Sequence, residues 1–110
     1  MPTVYLVIPC YNEEEVLPET VKRLTIKMNS MIKAGRADEK SRMLLVDDGS
    51  RDRTWELISG YCEENTLVSG IKLAHNRGHQ NALLAGLMTA KEYCDCAISP
   101  VSYTHLRDPE

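Results

Sequence analysis

Residues 3–9 read TVYLVIP, β-branched or apolar almost without a break, the pattern of a strand buried on both faces. Pro9 has no N–H for a ladder, so the pattern predicts that the strand ends there. A carboxylate-rich loop runs from Cys10 to Leu17. Pro18 suits the start of a helix, and Glu19 complements its positive end. Val21, Leu24, Met28, Met31 and Ile32 recur at helical spacing, and Gly35 offers a stop. Arg36 to Ser41 is a polar connection. Met43 to Val46 is a second apolar run, closed by Asp47-Asp48-Gly49-Ser50. Asp52 is placed to cap a helix through Thr54, Trp55, Ile58, Tyr61 and Cys62, with Trp55 on its core side. Thr66 to Leu73 predicts a weaker third strand around Gly70, and Asn76 to Gln80 a polar turn. A third helix is expected over Asn81–Tyr93. Ala82, Leu83, Leu84, Ala85, Leu87, Met88 and Ala90 cover most of its circumference, which predicts burial on more than one side. Cys96 to Ser99 begins a fourth strand that Pro100 interrupts. Strand and helix alternate throughout, so the expectation is an α/β three-layer sandwich with a parallel sheet and right-handed crossovers.

Composition narrows this picture. The chain has 110 residues, 43% of them hydrophobic and 26% charged, the balance of one ordinary folded domain. Its net charge of −3, without a Lys/Arg block, argues against a nucleic-acid partner. No apolar run nears the roughly 20 residues that span a bilayer, and the N-terminus lacks the basic start of a signal peptide. Cys10, Cys62, Cys94 and Cys96 read as free thiols of a cytoplasmic protein. Cys94 and Cys96 are too close for a zinc knuckle, and no second cysteine pair accompanies them.

Ligands of open parallel sheets gather beyond the carboxyl ends of the strands. Two polar clusters fall there: Cys10-Tyr11-Asn12-Glu13-Glu14-Glu15 after the first strand and Asp47-Asp48-Gly49-Ser50-Arg51-Asp52 after the second. Tyr11 offers a face for a base, and carboxylates accept hydrogen bonds from ribose hydroxyls or base N–H groups. Alone, the Asp47–Ser50 run reads equally as a turn leading to a helix cap. Beside Tyr11 and Glu13 it gains a ligand-binding meaning. Glu14 and Glu15 read as a solvated helix start. Asn76-Arg77-Gly78-His79-Gln80 opens the third helix, where free N–H groups near Arg77 and Gly78 suit a phosphate. His75 precedes that helix, so His75 and His79 do not make a two-histidine metal site. The chain has neither a nucleophile triad, nor a P-loop, nor a G-x-G-x-x-G fingerprint.

Three stretches in this order carry a resemblance. Val7-Ile8-Pro9-Cys10-Tyr11-Asn12-Glu13-Glu14, Leu45-Val46-Asp47-Asp48-Gly49-Ser50-Arg51-Asp52-Arg53-Thr54 and Asn76-Arg77-Gly78-His79-Gln80 with Ala82 and Gly86 resemble family 2 glycosyltransferases of the GT-A fold. The third stretch looks most like the bactoprenol glucosyltransferase and dolichyl-phosphate mannosyltransferase branch. The resemblance implies the N-terminal, Rossmann-like half of a GT-A domain and a UDP- or GDP-sugar donor. It implies that Pro9, Tyr11 and Glu13 line the nucleotide pocket, that Val46 and Asp48 contact base or ribose, and that Asp47 shapes the same pocket. It also implies a polyprenyl-phosphate acceptor at the cytoplasmic face of a membrane.

His75 stands where many relatives carry Arg, and Arg77 where many carry an aromatic. In the family the fourth strand leads to an Asp-x-Asp element for Mg²⁺ or Mn²⁺; here Ala97-Ile98-Ser99 is followed by residues 100–110, which do not match. The expectation is therefore a donor-binding half over residues 1–99 and a non-family tail over 100–110. No tightly held metal and no sugar transfer by this chain alone are expected. The alternative is a receiver-like phosphoacceptor domain, which also places paired acids at a strand end. The third strand, however, runs into Leu73-Ala74-His75 with no Asp to phosphorylate.

Overall fold

The computed structural model describes residues 1–99. The elements alternate as β1 (Val4–Cys10), α1 (Leu17–Lys33), β2 (Arg42–Asp47), α2 (Thr54–Glu64), β3 (Val68–Lys72), α3 (His79–Ala90) and β4 (Cys96–Ile98). The four strands form one parallel sheet in the order β3-β2-β1-β4. That order is the doubly wound one; a receiver-like domain would run 2-1-3-4. The reversal of direction falls between β1 and β4, and this is where a crevice opens in such sheets.

Side chains alternate across the sheet with the period of two that strands impose. Val4, Leu6, Ile8 and Cys10 of β1 join Met43 and Leu45 of β2 in a core with Leu17, Val21 and Met28 of α1 and Ile58 of α2. Val7, Leu44 and Val46 face the other way and pack on Ala82 and Ala90 of α3. Both faces of β1 and β2 are thus dry, which is why their sequences lack polar alternation. Each fully buried Leu, Met or Val contributes about 1.5–3 kcal/mol. Trp55 packs against the first core. Gly35, at φ +77°, closes α1: its N–H and that of Arg36 reach the carbonyls of Ile32 and Met31 at 3.1 and 2.9 Å.

Three expectations are corrected. β1 runs through Pro9 to Cys10, with Pro9 opposite Val46. The described β4 pairs only with Val4–Leu6, so one side of β1 is open at that level and the missing N–H is tolerated. α3 begins at His79 and ends at Ala90, earlier at both ends than its apolar run. It is also buried on one face only. Ala82, Gly86 and Ala90, four residues apart, form the contact stripe, while Leu84 and Met88 are 56% and 54% exposed. Small residues let the helix axis approach the sheet, and that close approach outweighs burying the larger side chains. The proposed tail, residues 100–110, lies outside the described residues. No helix among the described residues is long and apolar enough to cross a membrane.

Candidate functional site

The loops after β1 and β2 are stitched together. The Asn12 N–H donates to Ser50 Oγ (2.9 Å), and Asn12 Oδ1 accepts from the Arg51 N–H (2.8 Å). Asn12 sits at φ +50°, a conformation asparagine tolerates better than most residues. The Glu13 N–H donates to Thr54 Oγ1 (2.8 Å), and the Glu14 N–H to Asp52 Oδ2 (3.3 Å). Glu14 Oε1 in turn accepts from the Arg53 N–H (2.9 Å). Glu14 is therefore a cross-link between the loops rather than only a solvated charge. Asp52 Oδ1 accepts from the N–H and hydroxyl of Thr54 and so tethers the start of α2.

The third polar stretch is tied to the second through Asp48, which is 2% exposed. Asp48 Oδ1 accepts from the Arg77 N–H (2.7 Å). Its Oδ2 accepts from the Gly78 N–H (3.1 Å) and from Asn76 Nδ2 (3.2 Å). The two loop N–H groups that the sequence offers to a phosphate are thus already committed to a carboxylate. Gly49 makes this possible. It sits at φ +72°, and a Cβ there would lie 2.6 Å from the Asn76 nitrogen and 2.8 Å from the His75 carbonyl carbon. The neighbours are backbone and have little room to move.

These contacts enclose a cleft of about 330 Å³ over the end of β1. Pro9, Cys10, Tyr11 and Glu13 form one side, and Asp48, Asn76, Gly78 and His79 the other. Of the sequence-predicted residues, Pro9, Tyr11, Glu13, Asp48 and Gly78 meet here. Val46 does not line the cleft: it is fully buried beneath α3, in contact range of Gly86. Asp47 is also fully buried behind the cleft. Its Oδ1 accepts from the Ser50 N–H (3.2 Å), which makes the turn, and its Oδ2 has no hydrogen-bond partner among the described residues. Arg77 is exposed, and its side chain is not part of the lining. Cys10, Asn76 and His79 also line the site; the sequence placed them within the polar stretches without assigning them a ligand, because which side chain of a stretch reaches the cleft is set by the meeting of loops distant in the chain.

Burial raises the Glu13 carboxyl above its ordinary range; His79 opposes that rise and Asp52 adds to it. Burial, then Glu13 and Asp47, push the Cys10 thiol up to about 12. Cys10 is therefore expected to resist iodoacetamide at neutral pH in the folded chain while the exposed Cys96 reacts, since the thiolate is the nucleophile. Peptide mass mapping after brief alkylation checks this. Among the described residues no three His, Cys, Asp or Glu side chains gather in a way that could hold a metal ion.

Residues 5–94 match the sequence profile described as Glycosyl transferase family 2. The chain belongs to glycosyl transferase family 2. This family 2 chain is 51% identical over 98 residues to the uncharacterized glycosyltransferase YkoT of Bacillus subtilis (strain 168), covering 89% of the chain and 29% of that protein. It is 44% identical over 84 residues to the undecaprenyl-phosphate 4-deoxy-4-formamido-L-arabinose transferase of Pseudomonas paraeruginosa, covering 76% of the chain and 23% of that protein. With the enzyme of the same name from Salmonella choleraesuis it shares 39% over 84 residues, covering 76% and 24%. The family 2 chain thus spans less than a third of the length of these curated relatives. Nothing in the comparisons favours a phosphoacceptor domain, and the sheet order opposes it.

Proposed function

We propose that this chain binds the nucleotide of a UDP- or GDP-linked sugar, as the donor half, over residues 1–99, of an enzyme that glycosylates a polyprenyl phosphate. The observation that carries this reading is the convergence of Pro9, Tyr11, Glu13 and Asp48 on one cleft at the carboxyl ends of β1 and β2. Its volume is at the small end for ligand sites, enough for a nucleoside with the phosphates and sugar extending outward. Tyr11, 41% exposed, presents its ring to a base. An ionised carboxylate has about four acceptor positions, and Asp48 uses three on donors of the loop before α3, leaving one for a ribose hydroxyl. Glu13 offers acceptors from the opposite side. The names of the Pseudomonas and Salmonella relatives support undecaprenyl phosphate or a similar lipid as acceptor, and hence work at the cytoplasmic face of a membrane.

Tyr11→Ala is expected to weaken UDP or GDP binding about tenfold, since stacking on one base contributes about 1–3 kcal/mol. The melting temperature should not fall, because the ring is partly exposed. Calorimetric titration with both nucleotides checks this, and equal affinity in wild type and variant would refute the placement of the base. The reading assigns this chain donor recognition. Incubation with a radiolabelled nucleotide sugar, Mg²⁺ and polyprenyl phosphate should leave the lipid unlabelled.

A further inference from the structure

Resting on the reading of the cleft as a donor site, the geometry points to His79 as the residue that meets the donor diphosphate and makes donor capture stronger as pH falls. Among the residues lining the cleft, His79 is the one that can carry positive charge. It faces Glu13 and Tyr11 from the loop after β1, Cys10 from the end of β1 and Asp48 from the end of β2. Asp52, ahead of α2, adds negative potential at Glu13. A nucleotide sugar carries two phosphate charges into this acidic surrounding, so binding needs a compensating cation. Asp48 holds the backbone of Arg77 and Gly78 and thereby sets where α3 starts, with His79 as its first residue at the rim. The Arg77 side chain lies outside the lining, and its charge does not change near neutrality.

Histidine changes charge between about pH 5 and 8. A donor diphosphate beside the imidazolium favours its charged form, so the gain in affinity is present on the acid side of that range and is lost on the alkaline side. Glu13 titrates with the same sign, because its neutral form repels phosphate less. Variants at position 79 separate the two.

The test is titration of the chain with UDP-glucose and GDP-mannose, whose diphosphate diesters keep constant charge in this range, and with uridine and guanosine. Wild type is expected to bind one nucleotide sugar about fivefold tighter at about pH 6 than at about pH 8. Nucleoside affinity should stay flat. His79→Gln should lose the pH dependence and hold the weaker affinity throughout. His79→Lys should hold the tighter affinity at both pH values. His79 is exposed, so both variants are expected to fold, and a circular dichroism spectrum and melting temperature like the wild type's verify it. Nucleotide-sugar binding that is flat in wild type, or still pH-dependent in His79→Gln, overturns the role of His79 while leaving the donor site standing. Absence of binding by any nucleoside or nucleotide sugar overturns the donor site itself, and His79 with it.

Discussion

Asp48→Ala is expected to abolish detectable nucleotide binding and to cost about 2–3 kcal/mol of stability, because hydrogen bonds to a charged acceptor are worth more than neutral ones. The substitution strips the acceptor from the Arg77 and Gly78 N–H groups and from Asn76 Nδ2 at once. These donors lie on an exposed loop, so water replaces part of what is lost, and the chain should still fold. The wall of the cleft would not survive, since the positions of Asn76, Gly78 and His79 depend on that carboxylate. Amide hydrogen exchange gives the specific readout. Arg77 and Gly78 should be protected in the wild type and exchange freely in Asp48→Ala. Asp48→Asn should fall between, because it retains one acceptor oxygen but turns an NH₂ toward the same donors. Persistent protection of both amides in the alanine variant would refute the tether.

Gly86→Val is expected to be more damaging to the fold, destabilising it by about 3 kcal/mol or more, the upper part of the range for overpacked cores. A Cβ at position 86 would already overlap Val7 Cγ1 and would lie 2.8 Å from Val46 Cγ2. Both neighbours are β-branched and belong to strands paired in register, so neither can swing aside without shifting the sheet. Gly86→Ala adds only the overlapping Cβ and regains about 1 kcal/mol of helix propensity, so it should also destabilise the fold, but by less than valine. Urea unfolding followed by circular dichroism would order the three proteins. Equal midpoints for glycine and valine would mean that α3 does not seat on β1 and β2 through this stripe.

β1 and β2 and the two loops that follow them were legible in the sequence for a simple reason. A strand dry on both faces must be apolar at every position, as Val4–Ile8 and Met43–Val46 are, and the polar residues must crowd at its end. Consecutive carboxylates were not separable in the same way. Asp47 and Asp48 are neighbours of one type, yet strand alternation sends one beneath the Ser50 turn and the other to the loop before α3. Val46 shares the parity of Asp48 but lies one pleat deeper in the strand, under Gly86 of α3, and so does not reach the cleft.

The orientation of α3 was likewise hidden. Apolar residues surround it, and only the fit of Gly86 between Val7 and Val46 selects the small-residue face. By itself the chain's pattern of apolar runs and polar breaks determined the element order, the parallel α/β class and the identity of the stretches that meet at the strand ends. Tertiary structure alone decided which side chain of each stretch reaches the cleft, and that Asn76 and His79 join it. The reason is that periodicity is a property of neighbours along the chain, whereas the cleft is made by side-chain-to-backbone contacts, to hydroxyls and a carboxylate, between residues about thirty to forty positions apart.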